Sequence, residues 1–199
     1  MDNLVCQTKQ IAVLLLLVLS LYSPATLALE DGIPFDPETN ERWVLVDTSD
    51  YVLTVYTGKR PKAQFHNLAI AQNGTAKTRR RGDKTTPLGK FRIDYITNRS
   101  RYHLFISIDY PTEEAASLAL EDGTISAQEY QTYREQRRKK GKSPQGTSLG
   151  GLIGIHGVGG GNVHLHRIAN WTDGCVALEN DQIEALSKMV EVGTRVYIR

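Results

Sequence analysis

The sequence predicts a mainly β domain over residues 41–199, with one helical insertion at about residues 112–143 and a helix near the C-terminus. Three observations carry that prediction. Short runs rich in Val, Ile, Tyr and Phe recur between turn residues, which is the pattern of strands. Two helix-start signatures cluster between Pro111 and Gly141. One apolar stripe at helical spacing, Ile183, Leu186 and Met189 or Val190, follows Asn180 and stops before Gly193.

Residues 1–28 stand apart from this domain. Lys9 closes a short polar head, Ile11 to Leu19 is unbroken apolar, and Ser23 to Ala28 offers small residues for cleavage after Ala25 or Ala28. That is the layout of a secretory signal peptide, and its apolar run is shorter than the roughly 20 residues that span a bilayer. The expectation is an exported protein of the periplasm or cell envelope, with no stable membrane insertion after cleavage. Residues 29–40, rich in proline and acidic side chains, read as a linker. The formal net charge is only +2 over 199 residues, so no nucleic-acid partner is expected. Two local basic runs, Arg79-Arg80-Arg81 and Arg134 through Lys142, read as solvated faces, with an anionic wall polymer as the alternative partner.

Along the domain, Trp43 to Val46 and Tyr51 to Tyr56 flank the turn region Thr48-Ser49-Asp50. Alternation of Val52, Thr54 and Tyr56 predicts a hairpin there. Further strands are expected at Phe65 to Ala71, Phe91 to Ile96, His103 to Ile108, Leu152 to Ile155 and Arg195 to Ile198. Thr112-Glu113-Glu114 after Pro111 opens the first helix of the insertion, which ends near Gly123. Ser126 with Glu129 forms a capping box for a polar helix running to about Gly141. Asp122 to Ser126 followed by Glu129 also matches half of a calcium-binding loop, but Leu118 and Leu120 occupy its early ligand positions and have no oxygen to give. The insertion precedes the candidate histidine described next and is expected to lie over a cleft as a lid.

Removal of the N-terminal segment takes Cys6 with it and leaves Cys175 as the single thiol, within Trp171-Thr172-Asp173-Gly174-Cys175-Val176. A buried structural cysteine is one reading. A nucleophile is the other, since a thiol becomes reactive when an oriented base takes its proton. His156 stands at the end of an apolar run and before the glycine-rich stretch Gly157 to Gly161, where the carbonyl of Gly157 can hold one ring nitrogen. Gly174 permits a tight turn, so that the amides of Gly174 and Cys175 can converge on an oxyanion. A competing zinc set combines His156, His164, His166 and Cys175, with His164 and His166 alternating on one strand face. His66 and His103 read as structural, with His103 and Tyr102 bordering a cleft.

The run from His156-Gly157 through fifteen residues, Gly157 to Trp171, into Thr172-Asp173-Gly174-Cys175-Val176-Ala177, together with Gly82-Asp83-Lys84-Thr85-Thr86-Pro87-Leu88-Gly89-Lys90-Phe91, resembles the exported L,D-transpeptidases with a YkuD-type catalytic domain. The family usually has a second histidine where Asp173 stands and an arginine where Ala177 stands. The resemblance implies a YkuD-like β-sandwich or mixed sheet, Cys175 as nucleophile and His156 as base, with no metal or organic cofactor. Trp171, Thr172 and Asp173 are expected to meet substrate, and Arg167 to replace the missing arginine. The implied partners are peptidoglycan stem peptides, with a wall-attached lipoprotein as a further acceptor. The Trp-Thr-Asp-Gly-Cys form resembles a branch that includes an enzyme cutting links to peptidoglycan. Hydrolysis of cross-links or of a lipoprotein linkage is therefore the alternative, beside a zinc hydrolase and a non-catalytic wall-binding domain.

Overall fold

A computed structural model describes Ile33 and residues 35–199. The expected signal peptide lies outside the described residues, as does the linker up to Gly32 and at Pro34. The hairpin of β1 (Arg42–Asp47) and β2 (Val52–Thr57) is antiparallel from Arg42↔Thr57 to Asp47↔Val52. Its turn is held by the Asp47 carboxylate, which accepts from the amides of Ser49 and Asp50 at 3.1 and 3.2 Å, the turn-closing habit of aspartate. Trp43 stacks on Tyr56 with ring centroids 4.4 Å apart, and its indole N–H donates to Gly58 O at 2.8 Å.

The next strand corrects the sequence reading. β3 (Arg60–His66) starts earlier and stops earlier than the expected Phe65 to Ala71. It is an edge strand, where Pro61 is tolerated because one side needs no donor. Residues 67–71 instead bond to the cysteine segment: Ala69 pairs with Ala177, and Ala71 with Thr172. A short parallel ribbon of β4 (Thr75–Ala76) and β5 (Thr86–Pro87) follows. β6 (Gly89–Ser100) and β7 (His103–Ile108) form a long antiparallel hairpin.

The insertion holds α1 (Glu113–Glu121), capped by the Thr112 hydroxyl, and α2 (Ala127–Lys140), with the Ser126–Glu129 capping box formed in both directions. Gly141 ends α2 in the left-handed conformation, φ +67°, where glycine meets no steric penalty. After β8 (Gly154–Gly157) comes α3 (Val163–Ile168), so His164 and His166 lie on a helix and not on the expected strand face. Asn162 starts that helix by accepting from Leu165 N at 3.1 Å. β9 (Val176–Leu178), α4 (Asn180–Ser187) and β10 (Arg195–Ile198) complete the chain, and the α4 stripe buries Ile183 and Leu186.

Eight strands make one mixed sheet in the order β3-β2-β1-β10-β6-β7-β8-β9. β1 with β10 and β8 with β9 are parallel, while the other pairs are antiparallel. β6 joins the two halves, pairing through Gly89–Arg92 with β10 and through its later residues with β7, with register shifts that bend it between Ile93 and Tyr95 and between Thr97 and Ser100. Val44, Leu53, Ile106, Ile155, Ile183 and Val196 are buried in one continuous core. No helix among the described residues is long and apolar enough to cross a membrane.

The insertion is anchored by its aromatics. Tyr133 is the one buried residue of α2, and its hydroxyl donates to Pro111 O at 3.1 Å. Tyr133→Ala is expected to lower unfolding stability by about 3 kcal/mol, and Arg138→Ala on the exposed face by less than about 0.5 kcal/mol, both measured by urea denaturation.

Candidate active site

Parallel pairing of β8 with β9 sets Ile155 opposite Val176 and His156 opposite Ala177. Continued back one residue, this register puts Cys175 beside Gly154. Side chains two apart on a strand share a face, so Cys175 and His156 face the same side. Both line a cleft of about 770 Å³, whose walls come from the β6–β7 hairpin, residues 79–84 and residues 146–153.

His156 is 2% exposed. Its Nδ1 lies 2.7 Å from Gly157 O, and because a carbonyl only accepts, Nδ1 carries the proton and Nε2 keeps its lone pair. The ring stacks on Tyr102 at 4.1 Å and meets Trp171 edge-on at 5.6 Å. Trp171 is fixed in turn by donating its indole N–H to His166 Nδ1 at 3.2 Å. Burial pulls the His156 pKa down to about 4, with the Gly157 carbonyl opposing the shift and the charges of His166 and Arg101 adding to it.

The Cys175 residue is half-buried, with Sγ 3.6 Å from Leu152 O. Burial pushes its thiol up to about 11, partly offset by a backbone bond from Gly154 and by the charge of Arg79, while Asp173 raises it. At neutral pH the resting pair is therefore neutral thiol and neutral imidazole.

The turn before Cys175 is closed internally. Thr172 is buried, and its hydroxyl donates to Cys175 O at 2.6 Å and accepts from Gly174 N at 3.3 Å. The Thr172 hydroxyl is thus engaged within the turn, and the Gly174 amide expected at the oxyanion already has a partner. Gly174 adopts φ +149°, and a Cβ there would fall 2.8 Å from Ile153 Cδ1 and 2.9 Å from Arg79 Nη1. Asp173 is exposed on the cleft wall and accepts from Gln72 Nε2 at 3.1 Å, while Lys84 Nζ donates to Gln72 Oε1 at 3.1 Å.

Three expectations are corrected here. Arg167 does not line the cleft: α3 points it at Glu179, which it grips with two bonds of 2.7 and 2.9 Å. His164 is exposed and His166 props Trp171, so the zinc set is not assembled; among the described residues no group of three His, Cys, Asp or Glu is placed to hold a metal. The insertion contributes no residue to the cleft and is not a lid. It backs the loop 78–83 instead, through Thr78 with Asp122, Arg80 with Thr124 O and Glu129, and Ser148 with Glu129. Thr86 is buried, and its hydroxyl accepts from Ala71 N at 3.0 Å, so the Thr-Pro-Leu-Gly element shapes backbone.

Sequence reasoning missed Arg79, which is buried beside the turn, and the cationic lining of Arg81, Lys84, Arg99 and Arg101. Tyr102 was legible as a cleft neighbour. Arg79 gave no local signal, since a run of three arginines reads as a solvated face.

The family described as "YkuD: L,D-transpeptidase catalytic domain" matches residues 41–198. Among solved structures, the chain is similar to the helical cell shape determining protein Pgp2 from Campylobacter jejuni, at 18% identity and TM-score 0.53, over 83% of this chain and 52% of that one. A point mutant of Pgp2 matches at 19% identity and TM-score 0.52, over 81% and 48%. An L,D-transpeptidase from Mycobacterium smegmatis matches at 13% identity and TM-score 0.47, over 80% and 58%. The chain spans about half the length of the Pgp2 structures. No curated protein matches the sequence.

Two outcomes are expected of this geometry. An unfolded chain binds a proton at His156 near pH 6.5, whereas the folded chain does so only near pH 4. The contribution of His156 to stability therefore falls as pH drops from 6.5 to 4, by about 3 kcal/mol, and is constant below that, where protonation of carboxylates held low, Glu129 among them, continues the loss. His166, also shifted down by burial, adds in the same direction. Denaturant titrations across that window should show a shallower slope for His156→Gln. Gly174→Ala is expected to cost about 1–3 kcal/mol from backbone strain and to slow alkylation of Cys175 by iodoacetamide, read by mass spectrometry.

Proposed function

The chain belongs to the family of YkuD-type L,D-transpeptidase catalytic domains, and on that premise we propose that it is an exported cysteine acyltransferase acting on peptidoglycan tetrapeptide stems. The observation that carries the proposal is the His156 tautomer. With Nδ1–H directed at Gly157 O, the basic Nε2 remains for the thiol on the same sheet face. Both groups are neutral at rest, so proton transfer accompanies attack rather than preceding it.

In the proposed reaction, His156 Nε2 takes the Cys175 proton as sulfur bonds to the carbonyl between meso-diaminopimelate and the terminal D-alanine. The carbonyl oxygen takes the negative charge. Collapse breaks the C–N bond, His156 returns the proton to the leaving amine, and a thioester with free D-alanine results. An amine from a second stem, or from a lysine of a wall-attached lipoprotein, then attacks the thioester and restores the thiol. The Cys175 backbone amide supports the oxyanion role, and Trp171 and Asp173, both on the cleft wall, are assigned to substrate contact. Arg81, Lys84, Arg99 and Arg101 suit the carboxylates of a stem peptide. Residues 1–28 are assigned to export into the envelope.

Purified protein incubated with disaccharide-tetrapeptide and followed by mass spectrometry is expected to release D-alanine and form a cross-linked dimer. Cys175→Ala should abolish both while keeping the circular dichroism spectrum. Release without dimer assigns water as acceptor, and cleavage of a pre-formed cross-link or lipoprotein linkage assigns a hydrolase. Intact substrates with no acyl-enzyme would sink the enzymatic reading in favour of wall binding alone.

A further inference from the structure

Arg79 is 4% exposed, although it opens a run of three arginines. Its Nε faces Asp83 Oδ1 at 3.3 Å, and its Nη2 donates to Asp173 O at 3.3 Å. Nη1 is buried with no hydrogen-bond partner and lies against Gly174. The guanidinium carbon is 5.7 Å from the centre of the Tyr110 ring. A buried guanidinium whose carboxylate and carbonyl partners both stand at 3.3 Å and whose third nitrogen is orphaned is incompletely compensated.

We propose that Arg79 is the positioning residue of the nucleophile: its guanidinium braces the Thr172–Cys175 turn from beneath and holds a fixed positive charge that the Cys175 sulfur meets when it becomes anionic. The proposal rests on the reading of Cys175 as nucleophile and is independent of the substrate. Two features of the site agree with it. The Gly174 amide is bonded to Thr172, which leaves fewer backbone donors for developing negative charge. Asp173, the carboxylate next to Cys175, is exposed and engaged by Gln72, so its opposing charge is the more screened. Asp83 sits behind Arg79, and His156 is neutral at rest. The Tyr110 phenol also faces the guanidinium, and burial keeps it protonated, while Arg81, Lys84 and Arg101 line the same cleft as the sulfur.

The helical insertion keeps the brace in place. Arg81 N donates to Ser148 O at 2.7 Å, Asp83 accepts from Arg80 N at 2.8 Å, and Arg80 and Ser148 both bond to the Glu129 carboxylate at the start of α2, at 2.8 and 2.5 Å. The loop on which Arg79 rides is thus pinned on both sides. Gly174 closes the remaining space, because any Cβ there would displace Nη1.

The test uses the full chain with Cys6→Ser, so that Cys175 is the sole thiol, and follows iodoacetamide alkylation across pH beside melting temperature. Arg79→Met is expected to raise the alkylation midpoint by about one pH unit, the scale of a lost neighbouring charge. At a fixed pH below the midpoint, alkylation slows about tenfold. Arg79→Lys, which keeps charge but loses the fork, is expected between parent and Arg79→Met, and it serves alone if Arg79→Met does not fold. An unchanged midpoint in every folded variant, with only a lowered melting temperature, would overturn the proposal. Failure of the parent protein on stem peptides with a normal Arg79 effect would reject the functional reading and leave the positioning role standing.

Discussion

The parallel pairing of β8 with β9 is the constraint on which the rest of the site depends. Only that ladder brings residues from a strand end at 156 and a turn at 172–175 onto one face. Parallel neighbours require a long crossover, and here the crossover contains α3 and Trp171, which closes back over His156. The connection is thus part of the site. Residues 67–71 lock the other edge of the turn through Ala69 with Ala177 and Ala71 with Thr172. A cysteine held between two backbone partners has little freedom to drift from His156.

That rigid placement comes with an electrostatic setting that keeps the resting pair uncharged. Desolvation dominates both groups, lowering the imidazole and raising the thiol. A low-dielectric site strengthens every nearby charge, so the buried guanidinium of Arg79 and the exposed carboxylate of Asp173 carry unequal weight at the sulfur. The cationic side chains of Arg81, Lys84, Arg99 and Arg101 line the same cleft.

The insertion fits the same logic of support from behind. Its helices pack through Tyr133 and meet the arginine loop through Asp122, Thr124 and Glu129, while their exposed faces carry the basic run to Lys142. A lid would have shown its residues on the cleft wall. The polar contacts instead fall on Thr78, Arg80 and Ser148, none of which lines the cleft, so the element acts as a buttress.

Local chemistry was legible in the residues themselves. Alternation and turn residues determined the β1–β2 hairpin, the Ser126 and Glu129 spacing determined the start of α2, and the motif residues singled out Cys175, His156 and Gly157. Those signals are short-range, carried by neighbours within a few positions. What the tertiary structure decided was everything resting on long-range partners. Pro61 hid β3 because only its edge position makes it tolerable; His164 and His166 alternate in sequence yet lie on a helix capped by Asn162; Arg167 turned to Glu179. Arg79 is the sharpest case, since an arginine in a basic run shows its burial only when Gly174, Asp83 and Tyr110 close around it. Sequence spacing specifies which atoms are available, and burial decides which charges matter.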